Sequence, residues 1–289
     1  MKTLACIPVF NEENIIKKLI RETQQYVDKI VVCDDGSTDN SFNEIKSTGV
    51  DIIKNPKNKG KGAALKSLFK FARNSDADII VTIDGDGQFL PKEIPILIKQ
   101  ISKNKADLVI GNRFHPNTEM PSYRKMGAKF LDKVTNAASE LSFKDTQSGF
   151  RAYSKKAIDM ITFSSDGFGA DSEILIDASK KNLRISEAKV TVIYNTGFET
   201  STKNPVSHAT EVISSLLEVV ALRRPLSYLG IPGLILLIIG TIFSIFVVTT
   251  FNDTRYFSVP FTLLAIGSLI IGLLLFLMSV VLFGISKLR

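Results

Sequence analysis

The chain has 289 residues, a net charge of +7, 45% hydrophobic content, no tryptophan, two cysteines and two histidines. The scattered Cys and His give no zinc site. No nucleic-acid-binding motif accompanies the basic excess, and a protein lying on an anionic leaflet uses the same charge, so no nucleic-acid partner is expected.

The first 205 residues alternate strand and helix signals. Thr3–Val9 is an apolar run, and Glu12–Val27 carries helical periodicity through Ile15, Ile16, Leu19, Ile20 and Val27. Lys29–Cys33 reads as the second strand, with Ser37 or Thr38 placed to cap a short helix. Val50–Lys54 is a third strand, Lys61–Arg73 a helix, and Ala77–Ile83 a fourth strand. A helix with Pro91 in its first turn follows, then a strand over Ala106–Gly111. Repeated β-α units predict an α/β fold: a mostly parallel, Rossmann-like sheet with helices on both faces. Cys6 and Cys33 fall inside strand runs, as buried free thiols would.

The carboxyl ends of these strands are polar. Pro8, Val9, Phe10, Asn11 and Glu12 follow the first, and Asp34 and Asp35 the second. Asp84-Gly85-Asp86-Gly87-Gln88 follows the fourth, and Gly111-Asn112-Arg113 the fifth. Open α/β sheets bind ligands at these ends. Asp84, Asp86 and Gln88 alternate along the chain, with glycines that let the backbone bend around a small cation. Their oxygens suit a hard divalent ion, Mg²⁺ or Mn²⁺, shared with substrate phosphates. Asn58-Lys59-Gly60-Lys61-Gly62-Ala63 adds a glycine-rich turn at a helix start, suited to close approach of a ligand.

These motifs, in this order, resemble family 2 glycosyltransferases. Gly111-Asn112-Arg113-Phe114, Asp145-Thr146-Gln147-Ser148-Gly149-Phe150-Arg151 and Asp171-Ser172-Glu173-Ile174-Leu175 look like the polyprenyl-phosphate (dolichyl-phosphate) branch, the mannosyl and glucosyl transferases. The resemblance implies a GT-A-type fold over residues 3 to about 205. It also implies an inverting, metal-dependent transfer of a hexose or N-acetylhexosamine from a UDP- or GDP-sugar to a polyprenyl phosphate, giving a lipid-linked donor for glycan or glycoprotein assembly. Carried over residue by residue, Pro8, Val9, Phe10, Asn11, Glu12, Asp35, Lys61, Asp84 and Gly85 would bind the donor nucleotide. Asp84, Asp86 and Gln88 would hold the metal. Arg113, Arg124 and Arg151 would receive the acceptor's phosphate, with Asp171 and Glu173 near the sugar. By the residues alone, Asp171 and Glu173 could equally be helix N-terminal acids. Some relatives carry a serine four residues after the second arginine, where this chain has Ala128.

From Leu226 onward only Asp253, Arg255, Lys287 and Arg289 are charged. Leu229–Thr250 and Val259–Ile285 each exceed the roughly 20 residues that cross a bilayer core. The chain therefore divides into a catalytic domain (1–205), an amphipathic interfacial segment (206–225, with the helical pattern over Ser207–Leu222) and a transmembrane hairpin (226–289). The hairpin is also where a homo-oligomer would form. Arg223 and Arg224 before the first span, and Lys287 and Arg289 after the second, predict a cytoplasmic domain and a loop at Asp253 on the far side. No signal-peptide pattern opens the chain. Two rival readings share the nucleotide half: a processive polysaccharide synthase, against which the missing tryptophan argues, and a non-catalytic membrane-tethered nucleotide-binding module.

Overall fold

The computed structural model describes residues 1–114, 129, 132, 135–136, 142–167, 169–193 and 225–287. It contains two compact units, Met1–Leu216 and Leu217–Arg289.

In the first unit the strands are β1 (Thr3–Val9), β2 (Lys29–Asp34), β3 (Asp51–Lys54), β4 (Ile79–Thr82), β5 (Leu108–Asn112), β6 (Arg151–Ser154) and β7 (Ile185–Lys189). They form one seven-stranded sheet in the order β3-β2-β1-β4-β6-β5-β7. All neighbours are parallel except β6, which runs antiparallel to both β4 and β5. The helices are α1 (Ile16–Thr23), α2 (Ser41–Lys46), α3 (Lys61–Arg73), α4 (Ile94–Ser102), α5 (Lys155–Met160) and α6 (Ala170–Lys180).

Strand periodicity sorts the core into two layers. Ala5, Ile7 and Val9 of β1 join Ile30 and Val32 of β2 against α1 and α4, through Ile16, Leu19, Ile20, Ile94 and Leu97. Leu4 and Cys6 of β1 join Val31 and Cys33 against α3, α5 and α6, through Leu65, Leu68, Ala157, Ile158, Ile174 and Leu175. Strands β1 and β2 are therefore apolar on both faces, which is why the sequence shows runs there and not alternation. Cys6 and Cys33 are buried and unbridged, and burial pushes the Cys33 thiol up to about 12.

Two local expectations are corrected. The first helix is shorter than Glu12–Val27. Asn11 takes φ +55°, and Glu12 O closes a turn onto the amides of Ile15 and Ile16 before α1 begins. Ser37 and Thr38 cap no helix: Ser37 Oγ accepts from Asn11 N at 3.0 Å, and Thr38 N donates to Asn11 Oδ1 at 2.8 Å. The helix starts at Ser41, whose N–H donates to Asp39 Oδ1 at 3.0 Å.

The second unit holds α7 (Ile231–Thr254), preceded by one π-helical turn over Leu226–Gly230, and α8 (Val259–Lys287). The two helices approach backbone to backbone at Gly233 and Gly272: a Cβ on Gly233 would lie 2.9 Å from Gly272 O. Ile235, Ile238, Ile242, Leu263 and Leu274 are exposed. The apolar side chains thus face outward, unlike those of core helices, and both helices are long and apolar enough to cross a membrane. The amphipathic pattern over Ser207–Leu222 lies outside the described residues.

Candidate active site

The strand order places β1 and β4 side by side, with the chain winding away from them in opposite directions. Their carboxyl ends are the point where such sheets open a crevice. The two ends touch: a Cβ on Gly85 would stand 2.8 Å from Pro8 O and 2.9 Å from Val9 Cγ2. A glycine there lets the chain after β4 lie on the chain after β1.

Asp84 and Asp86 leave the end of β4. Lys61, the first residue of α3, brings its Nζ to 2.8 Å from Asp84 Oδ1 and 3.0 Å from Asp171 Oδ2. Burial works against the Lys61 charge, but Asp171 and Asp84 outweigh it and hold the ammonium above its usual range. Asp86 accepts from Gln88 N at 3.0 Å. Burial, and next the negative charge of Asp84, push the Asp86 carboxyl up to about 6, against the opposing pull of Lys61 and Arg113. Two carboxylates this close at a strand end, one of them with its proton held by burial, are short of positive charge.

That deficit fits a divalent cation. Among the described residues no three His, Cys, Asp or Glu side chains converge to hold a metal. The protein's share would be the Asp84 and Asp86 carboxylates and the Gln88 amide oxygen, with phosphate and water completing the shell.

Asp35 is 3% exposed and braces the glycine-rich turn. Its Oδ1 accepts from Asn55 Nδ2 at 2.6 Å, and its Oδ2 from the amides of Lys59 at 3.0 Å and Gly60 at 2.7 Å. Of its roughly four lone-pair positions, one on Oδ1 is left for a ligand. Asp34 is fully buried; Ser37 N donates to its Oδ1, and its Oδ2 has no hydrogen-bond partner among the described residues. Glu12 is buried and its N–H donates to Ser41 Oγ at 2.7 Å.

The arginines separate. Arg113 is forked onto Asp145: its backbone N and Nε donate to Oδ2, and Nη2 to Oδ1, each at 2.8 Å. Asp145 is fully buried, and its own N–H donates to Glu187 Oε1 of β7 at 3.1 Å. Arg113 lies near enough to Asp86 to lower its proton affinity. Arg124 and Ala128 lie outside the described residues.

The expectation that Arg151 receives a phosphate is corrected. Its side chain is fully buried, and its guanidinium donates to three carbonyls: Ser148 O at 2.7 Å, Thr146 O at 2.8 Å and Asp171 O at 3.0 Å. It ties the turn before β6 to the start of α6. Glu173 stands in the first turn of α6, and its carboxylate accepts from the amides of Ser164 and Ser165 and from Ser164 Oγ, at 2.8–3.0 Å, closing the loop before the helix. Asp171 stands in the first turn of α6 and reaches the site through Lys61. Asp145, Asp132 and Gly149 were not foreseen as site residues. Asp132 accepts from the N and Oγ1 of Thr146, both at 2.7 Å, one residue beyond Asp145.

Fold and site together define an α/β protein with an acidic, cation-seeking cleft at its switch point. The family model described as Glycosyl transferase family 2 matches residues 5–162, and the chain belongs to that family. It is similar to the UDP-N-acetylglucosamine--dolichyl-phosphate N-acetylglucosaminyltransferase of Methanococcus voltae, with 33% identity over 211 residues that cover 65% of this chain and 84% of the relative. It is also similar to the undecaprenyl-phosphate mannosyltransferase of Micrococcus luteus, at 26% identity over 206 residues, 67% of this chain and 84% of the relative. Among solved structures, glucosyl-3-phosphoglycerate synthase of Mycobacterium tuberculosis in complex with Mn²⁺, UDP and phosphoglyceric acid superposes with a TM-score of 0.59 at 21% identity. That match covers 76% of this chain and 78% of the other, and it establishes a shared GT-A-like fold.

Proposed function

We propose that this chain transfers a hexose or N-acetylhexosamine from a UDP- or GDP-sugar to a polyprenyl (dolichyl) phosphate. Transfer would occur on the cytoplasmic side of a membrane entered by the hairpin, with inversion at the anomeric carbon. The observation that carries the reading is the charge arrangement at the end of β4. Asp84 pairs with Lys61, and Asp86 feels the charge of both Lys61 and Arg113, in a chain that carries two membrane-length apolar helices. The names of the relatives, which act on dolichyl and undecaprenyl phosphates, support the same acceptor class.

The donor's nucleoside would lie along Pro8–Glu12 and the free face of Asp35, and its diphosphate at the start of α3, where helix amides and Lys61 favour an anion. A divalent ion held by Asp84, Asp86 and Gln88 would supply charge neutralisation for the departing nucleotide diphosphate. Arg113, held by Asp145, would offer a cation for the acceptor's phosphate. That phosphate is already anionic at neutral pH, so no side chain has to act as a strong base. The protein's task is alignment of the phosphate oxygen behind the anomeric carbon. One displacement inverts the centre.

The test uses purified full-length protein with dolichyl or undecaprenyl phosphate, a panel of UDP- and GDP-sugars and Mg²⁺ or Mn²⁺, with the lipid product read by mass spectrometry. A sugar-phosphate lipid formed only with the ion is the expected result. Product formed equally in excess chelator would remove the metal from the reading, and no lipid product from any donor would remove the acceptor.

A further inference from the structure

Lys61 sits between two carboxylates whose surroundings differ. Asp171 is fixed: its side chain is 6% exposed, Arg151 Nη1 donates to its backbone carbonyl, and Arg151 Nη2 stands 3.7 Å from its Oδ1. Asp84 is the more open partner, with its side chain 23% exposed. Its Oδ1 faces the ammonium, and its Oδ2 lies against Gly149.

We propose that Lys61 is a tethered counter-cation, which holds Asp84 in place of the divalent ion and yields to that ion by moving fully onto Asp171. The inference rests on the reading that Asp84 and Asp86 are the ion's ligands. An oxygen that accepts an ammonium proton at 2.8 Å cannot offer the same lone pair to a metal. Two cations on one partly buried carboxylate also repel each other strongly in a medium of low dielectric. A retreat therefore has to be available, and Asp171 provides one that leaves the ammonium paired in a site where an unpaired charge would be costly. Lysine suits this movement because it is a compact charge on a flexible stem, whereas arginine's planar fork would be locked to both acids. On this account Arg151 serves the site at one remove: by fixing Asp171 it fixes the seat to which Lys61 withdraws.

A purely structural bridge between α3, β4 and α6 makes a different forecast, since any break in it should loosen the site and weaken ion binding. The tethered cation predicts shifts of opposite sign. The full chain in detergent, without nucleotide sugar, is titrated with Mn²⁺, and free Mn²⁺ is read by electron paramagnetic resonance. Lys61→Met removes the competitor and should tighten Mn²⁺ binding about fivefold or more. Asp171→Asn removes the second seat, leaves Lys61 on Asp84, and should weaken binding by a comparable factor. The double variant should follow Lys61→Met. Both single variants shifting in the same direction, or neither shifting, would overturn the proposal. If Lys61→Met loses its melting transition, the near-isosteric Asp171→Asn decides alone: unchanged or tighter binding there overturns it. Wild-type protein that binds Mn²⁺ no better than Asp86→Asn would overturn the metal site itself. That outcome is distinguishable, because the earlier ones require wild-type binding that Asp86→Asn abolishes.

Discussion

Gly149 lies against Asp84 so closely that a Cβ on the glycine would stand 2.3 Å from Oδ2 and 2.5 Å from Oδ1. The glycine cannot retreat easily, because Thr82 Oγ1 donates to its carbonyl at 2.9 Å from the last position of β4. Gly149→Ala should therefore displace the carboxylate and not the strand. The expected outcome is a fall in kcat/KM of about a hundredfold, as for misplaced reacting groups, with a melting temperature within a few degrees of wild type. Steady-state rates and thermal melts on the same preparation check it. Unaltered turnover would show that Asp84 tolerates displacement.

Asp145 accepts from three N–H groups of Arg113. Asp145→Asn would replace one fork oxygen with a donor and weaken its hold on the guanidinium. Charged hydrogen bonds are worth roughly 1.5–3 kcal/mol, so the KM for polyprenyl phosphate should rise about tenfold or more. Nucleotide-sugar affinity measured without lipid should stay near wild type. A loss confined to the donor side would move Arg113 to the diphosphate.

Asp132 gives a prediction in pH. Burial pushes its carboxyl up to about 7, against the pull of its two Thr146 donors. Its Oδ2 has no hydrogen-bond partner among the described residues. The folded form thus binds this proton more tightly than an unfolded aspartate, whose pKa is about 3.9. The sign follows: the stabilisation is fully present below about pH 4 and is lost as pH rises through about 7. In Asp132→Asn the decline in melting temperature across that window should be shallower than in wild type. Parallel curves would show that Asp132 does not titrate there.

Topology is open to labelling. Arg255 is the lone basic residue of the short connection between α7 and α8, and Asp253 offsets it. The positive-inside bias therefore predicts this loop on the side away from the cytoplasm. A single cysteine at position 253, in a chain lacking Cys6 and Cys33, should react with an impermeant maleimide from the non-cytoplasmic face of sealed vesicles. Reaction from the cytoplasmic face alone would invert the arrangement.

Strands with two buried faces announce themselves as apolar runs, and β1 begins and ends where the run over Thr3–Val9 does. Helix α3 likewise matches Lys61–Arg73, since Gly60 at φ +100° breaks the chain before it. The acids of the β4 end were visible because an apolar strand switches abruptly into Asp and Gly. Strand β6 was not, for Arg-Ala-Tyr-Ser contains no apolar run and its assignment depends on partners far along the chain. The same blindness produced the error over Arg151. In sequence it looks like Arg113, each an arginine beside a polar turn. Only the insertion of β6 between β4 and β5 sends one side chain into the interior and leaves the other at the rim. Asp145 was passed over because an ordinary acid gives no sign that one arginine brings three donors to it.

In the antiparallel pairing of β5 with β6, Ile110 lies directly opposite Arg151. The chain leaves the sheet after Asn112 and re-enters it at Arg151, so the 38 residues between are, in sequence, a cassette bounded by two neighbouring strands. Such a cassette can change in length and content while the strands that carry the donor acids keep their register. Under the proposed function, divergence in the acceptor would then be separable from divergence in the donor, and laboratory recombination between relatives has natural joints at Asn112 and Arg151.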